Sequence, residues 1–139
     1  MYNHSTVLVA AGSLCLTITL VLAWCLAGVR ASCFIKRLFP NYHSLLKAHM
    51  DYLLMTGLLM IFFLLFAQFH VSASPLILAA MCLGSLGNPV GFLVLAVKPS
   101  LRQHPSSPFG AAMTVSFALT TVGYAGAAWS VGRAALLAL

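Results

Sequence analysis

His49 and Asp51 are the side chains best able to do chemistry in this sequence, and both lie near the start of a long apolar run. Asp51 is the only acidic residue among the 139. An ionisable group within an apolar segment is costly to bury and usually marks a functional site. The segment 47–52 is therefore the first place to look for function.

His49 is a candidate metal ligand, because neutral imidazole is the commonest metal-binding side chain in proteins. On a helix, Tyr52, Leu53 and Thr56 would follow it along one strip at i+3, i+4 and i+7. Two interpretations remain open: a hydrogen-bonded polar residue, or the single axial ligand of a haem whose opposite iron face stays free. The other histidines fall at or beyond the expected helix ends and are interpreted as interfacial: His4, His43, His70 and His104.

Asp51 also has two interpretations. It could form an ion pair with Lys47, one helical turn earlier. It could instead contact a neighbouring subunit or orient a polar group of a ligand. Acid–base catalysis by two carboxylates is excluded within one chain, because there is no second acid. His49 and Asp51 would lie about 200° apart around a helix, so a hydrolase triad is not expected.

Composition indicates an integral membrane protein, since 62% of the residues are hydrophobic and only 6% are charged. The net charge of +6 does not predict nucleic-acid binding, because the cations lie in loops and ends between apolar runs. None of the four cysteines forms a C-x-x-C pair. The sequence therefore predicts neither a zinc site nor a redox motif.

Four apolar runs are long enough to cross a bilayer, which takes roughly 20 residues. They predict a single all-α domain over 1–139, an up-down four-helix bundle with these approximate helices: 6–29, 45–69, 75–97 and 109–131. The first run lacks a basic leader and a small-residue cleavage pattern, so it is expected to be a retained helix. Six of the seven cations lie in or beside the first and third connections. Those connections are therefore expected in the cytoplasm, with both termini outside, although Arg133 weighs against this orientation.

The third run contains an unusual polar and glycine-rich centre. Gly87 and Gly91 form a G-x-x-x-G pair, which lets another helix or a flat ligand approach closely. Pro89 removes one helical hydrogen bond, and Asn88 must find a partner at membrane depth. Either this is tight helix packing, with Asn88 bonding the freed carbonyl, or it is the wall of a pocket. Tyr124 in the fourth run could add a pocket hydroxyl.

Several short motifs resemble the styrene oxide isomerase family of small four-helix membrane enzymes. They are Lys-Ala-His at 47–49, Gly-Asn-Pro-Val-Gly-Phe at 87–92 and a proline-rich linkage through Pro99, Pro105 and Pro108 to Phe-Gly at 109–110. His4, just before the first helix, also has a counterpart in the family. Length, helix number and motif order agree over nearly the whole chain.

The resemblance implies haem b bound between subunits of a homotrimer, in the bacterial inner membrane, with His49 as axial ligand. Tyr52, Leu53, Gly87 and Gly91 are the residues expected to surround it. In this family ferric iron acts as a Lewis acid on an epoxide oxygen. The carbon–oxygen bond opens, a hydride shifts and a carbonyl product leaves without net redox. A small apolar substrate such as an aryl epoxide is implied.

Two departures from the family concern the substrate pocket. The family has an asparagine where this chain has Met55, and a tyrosine where it has Leu93. Asn88, Tyr124 and Thr56 are the polar side chains that we expect to act in their place. A non-catalytic haem- or lipid-binding subunit of a larger complex, and a transporter using Asp51, remain alternatives.

Overall fold

The structure, a computed structural model, describes residues 6–103 and 107–138, and every regular element in these ranges is helical. His4, His104 and Pro105 therefore lie outside the described residues. A short 3₁₀ helix, Pro99–Gln103, follows α4. The α-helices are α1 (Thr6–Ala31), α2 (Cys33–Leu38), α3 (Tyr42–Gln68), α4 (Pro75–Val97) and α5 (Pro108–Leu137).

Four of these helices, α1, α3, α4 and α5, are long and apolar enough to span a membrane. The predicted all-helical fold with four spans is confirmed at this level, and it is compatible with an integral membrane protein. The short helix α2 lies in the first connection, where the sequence predicted no regular element.

Helix ends differ from the prediction where side chains cap the backbone. α3 begins at Tyr42 rather than residue 45, because the Asn41 side chain accepts a hydrogen bond from the Ser44 N–H at 3.2 Å. α5 begins at Pro108, with Ser107 accepting from the Gly110 N–H at 3.3 Å. It continues past residue 131 to Leu137 through an alanine-rich segment that favours helix.

The helices pack mainly in chain order: α1 against α3, α3 against α4, and α4 against α5. The core lies among α1, α3 and α4, where these side chains are fully buried: Leu8, Cys15, Leu45, Leu59 and Met81. The first connection is tied to the end of α4 by the Asn41 N–H, which donates to the Ala96 carbonyl at 3.2 Å. α5 is the least buried of the four long helices.

The backbones of α4 and α5 approach closely because glycine lies at their contact. A Cβ added to Gly84 would lie 2.6 Å from the backbone N and Cα of Thr120. A Cβ on Gly123 of α5 would lie 2.6 Å from the backbone N of Met81. Small residues permit this approach, which gains dispersion contacts where apolar lipid supplies little driving force.

Gly84→Ala is expected to lower the free energy of unfolding by about 1–3 kcal/mol, because the new methyl group would force the α4 and α5 backbones apart. Gly57→Ala is the matched control, since a Cβ there meets nothing within 4 Å. Unfolding by SDS from mild-detergent micelles, followed by circular dichroism, measures the difference. Equal stability of the two variants would contradict the close contact.

Candidate functional site around His49 and Asp51

His49 lies on α3 and points towards α1. Its Nδ1 is 3.1 Å from the backbone carbonyl oxygen of Thr19, a distance at which the ring N–H donates to that oxygen. With the proton on Nδ1, the lone pair is on Nε2, and no described residue forms a hydrogen bond to Nε2. The half-buried ring is thus oriented by α1 and keeps one nitrogen able to accept a proton or a metal.

The surface beside His49 is apolar and open. Leu53, one turn later on α3, is 45% exposed, and Leu16, one turn before Thr19 on α1, is 40% exposed. An oriented imidazole bordered by exposed aliphatic side chains suits a flat apolar macrocycle that carries a metal. No group of three or more His, Cys, Asp or Glu side chains converges in the described ranges. A haem iron needs no such group, because the porphyrin itself supplies four nitrogens.

Asp51 points towards α4 rather than α1. Its Oδ2 accepts a hydrogen bond from Asn88 Nδ2 at 3.0 Å. No described cation forms an ion pair with it, so the pairing with Lys47 is not seen within the described part of the chain. Lys47 Nζ lies instead 5.9 Å from the centre of the Phe92 ring. Asp51 therefore contacts α4 and His49 contacts α1, and these different directions agree with their spacing.

Tyr52 and Thr56 are buried between helices and already hydrogen-bonded. The Tyr52 hydroxyl donates to the Leu86 carbonyl at 3.2 Å, three residues before Pro89 in α4. Thr56 Oγ1 donates to the Tyr52 carbonyl at 2.9 Å within α3. Both side chains thus stabilise helices in this structure, and neither is oriented towards the open side of His49.

Tyr124 forms a separate polar pair with Ser85. The two hydroxyl oxygens are 2.7 Å apart, and Ser85 is completely buried. The Tyr124 ring also packs against Phe62 of α3, with ring centres 5.5 Å apart. This pair joins α4 and α5, and the ring of Tyr124 brings α5 against α3.

Gly87 and Gly91 face α5. A Cβ on Gly87 would lie 2.6 Å from Ser116 Oγ, and the Met113 side chain covers Gly91 even more closely. The G-x-x-x-G pair is therefore occupied by another helix of the same chain. Of the residues predicted to surround a haem, only Leu53 shares the open side of His49.

Two partners at the site were not predicted from the sequence. The Thr19 carbonyl is a backbone group, so the type of residue gives no indication of it. Ser85 precedes the Gly87–Gly91 pair, and its small hydroxyl gave no reason to single it out. His43 and His70, predicted to be interfacial, are exposed at the two ends of α3.

Comparisons with protein families, curated proteins and solved structures find no match to this chain.

Asn88→Leu is expected to destabilise the protein by about 1–3 kcal/mol, because it leaves the half-buried Asp51 carboxyl without its donor. The double variant Asp51→Leu/Asn88→Leu removes both polar groups and is expected to cost less than the sum of the two single changes. SDS unfolding of the four proteins of this cycle gives the coupling energy. Additive effects would show that the hydrogen bond contributes nothing.

Proposed function

We propose that this chain is an integral membrane protein that binds haem b through His49, and that it isomerises epoxides to carbonyl compounds, as the resemblance to styrene oxide isomerases implies. The observation that carries the proposal is the hydrogen bond from His49 Nδ1 to the Thr19 carbonyl. Metal-binding histidines typically donate their second ring N–H to such an acceptor, which fixes the ring and directs the free nitrogen at the metal.

The residues beside His49 fit a porphyrin. His49 Nε2 would be the single protein ligand to iron, and Leu53 and Leu16 would lie against the apolar ring. Leu53 and Leu16 would also keep water away from the iron on the face that His49 binds.

A site on the outer surface of one chain needs cover from another, which supports an oligomer with haem between copies. The resemblance to styrene oxide isomerases implies that this oligomer is a homotrimer. We also propose the up-down bundle. It is supported by two contacts between α3 and α4, Asn41 with Ala96 and Tyr52 with Leu86, because the residue number rises along one helix as it falls along the other. We also propose an inner-membrane location. The positions of the cations support cytoplasmic first and third connections.

Ferric haem b, when bound, supplies a Lewis acid that draws electrons from an epoxide oxygen and so promotes opening of the carbon–oxygen bond. The chain contributes orientation and an apolar environment. His49 keeps its tautomer through the Thr19 carbonyl. Exposed Met50 and Leu53 offer apolar contact area to an aryl substituent.

Asn88, Tyr124 and Thr56 stay predictions as substrate-binding residues. Thr56 donates its single O–H within α3 and would have to exchange that hydrogen bond for one to the substrate oxygen. The Tyr124 hydroxyl shares a hydrogen bond with Ser85, in which either oxygen can be the donor. Asn88 donates one amide N–H to Asp51, and its second N–H forms no hydrogen bond with a described residue.

A transporter in which Asp51 carries a proton is the second candidate. It is favoured by a single observation, the half-buried carboxyl that forms a hydrogen bond to Asn88 but no ion pair among the described residues. By contrast, a packing subunit that docks through Gly87 and Gly91 is disfavoured, because α5 covers that pair.

The purified protein is expected to show a Soret absorbance band, and His49→Ala is expected to abolish it, because the iron loses its only protein ligand. His43→Ala, an exposed histidine on the same helix, is the matched control and should keep the band. Absorbance spectra of the three proteins, expressed in cells supplied with haem, show whether the chain binds haem through His49. No band in the unaltered protein would reject the haem proposal and leave the transporter.

Haem-loaded protein is expected to convert styrene oxide to phenylacetaldehyde. His49→Ala is expected to lose at least nine-tenths of that rate, because a metal ion stabilises the transition state by several kcal/mol. Gas chromatography of the product measures both. Haem binding without turnover of any aryl epoxide tested would leave a non-catalytic haem protein.

A further inference from the structure

A groove opens where the end of α1 meets α2 and the start of α3. Its volume is about 600 Å³. Its lining is partly apolar and includes the polar side chains of Arg30, Ser32, Lys36 and Tyr42, and we call it the basic groove. It lies at the end of the chain's fold opposite the α3–α4 turn and does not include His49 or Asp51.

The cations of the basic groove are not neutralised by the described residues. Asp51, the only acid in the chain, is bonded to Asn88 and lies along α3, away from the groove. The guanidinium of Arg30 lies over the Tyr42 ring, 5.9 Å from its centre, which holds the charge in place without reducing it. The groove therefore presents two exposed positive charges that can attract an anion.

Ser32 adds a free hydroxyl to this charge. It precedes α2 with an extended backbone, yet its side chain makes no capping hydrogen bond. Its backbone N–H and carbonyl are both used, by Gly28 at 2.8 Å and Lys36 at 3.1 Å. Within the described ranges, the hydroxyl is thus available for an oxygen-rich ligand between Arg30 and Lys36.

The position of the groove identifies the source of the anion. α1 passes from an apolar run to Arg30 at this point, so the groove lies at the depth of lipid headgroups. Phe34 and Leu38, one turn apart on α2, are exposed and would enter the acyl region beside it. A ligand held here would have an anionic head in the groove and apolar chains against α2.

We propose that the basic groove binds the phosphate of an anionic phospholipid. Arg30 and Lys36 contact the phosphate oxygens, and the Ser32 and Tyr42 hydroxyls are within reach of the headgroup. The lipid fastens the first connection to the membrane surface, and this role is independent of haem binding at His49.

Native mass spectrometry of the delipidated full chain, titrated with phosphatidylglycerol, tests the proposal. Arg30→Gln and Lys36→Gln are each expected to weaken binding about fivefold, the effect of removing one basic residue at a lipid surface. Arg37→Gln is the matched control, because Arg37 is the next residue on α2 but does not line the groove. It is expected to change binding less than twofold. Lys36→Arg keeps the charge and should keep binding, which separates loss of the site from misfolding.

Two further titrations distinguish the sources of phosphate. Phosphatidylcholine is expected to bind much more weakly than phosphatidylglycerol, and inorganic phosphate at equal concentration should not displace the lipid. Displacement by inorganic phosphate would mean that the groove takes free phosphate, and equal binding of the two lipids would mean that it does not recognise charge. Equal losses in all three glutamine variants would show diffuse surface attraction. Any of these three results overturns the proposal.

Discussion

His49 and Asp51 are polar side chains within the apolar helix α3, and both need hydrogen-bond partners. In an apolar medium an unpaired donor or acceptor costs several kcal/mol, so each polar group here has to find a partner on a neighbouring helix. His49 finds a backbone carbonyl of α1, and Asp51 finds the amide of Asn88 on α4. His49 and Asp51 thus hold α3 between α1 and α4. His49 Nε2 and the amide oxygen of Asn88 form no hydrogen bond with a described residue.

The other half of the molecule is held together differently. α4 meets α5 through glycine, where backbones touch and few side chains intervene. Such contacts depend on shape, since a methyl group at Gly84 or Gly123 would already be too large. One buried hydroxyl, Ser116 Oγ, lies in this contact and has no hydrogen-bond partner among the described residues.

Much of the fold follows from hydrophobic run length, because lipid leaves helices as the main way to bury a backbone. Thus the four spans could be predicted, and so could the different directions of His49 and Asp51, since both depend on local geometry. The residues that bond or pack against these side chains could not be predicted. Asn88 was expected either to bond the carbonyl freed by Pro89 or to line a pocket, and its hydrogen bond to Asp51 could not be read from the sequence. The glycine pair allowed both a helix and a ligand, and only the three-dimensional arrangement brings α5 onto it. The earlier starts of α3 and α5 depend on caps at Asn41 and Ser107, whose effect reaches only one turn.

The close contact between α4 and α5 has a consequence for biosynthesis. Most of the buried side chains lie on the first three spans, so these spans can assemble before the last span leaves the ribosome. α5 then adds Ala127 and Val131 to the core and packs mainly against α4. A chain cut in the loop between α4 and α5 should therefore reassemble from two co-expressed fragments, as a split protein does, whereas a cut between α1 and α3 would divide the core itself.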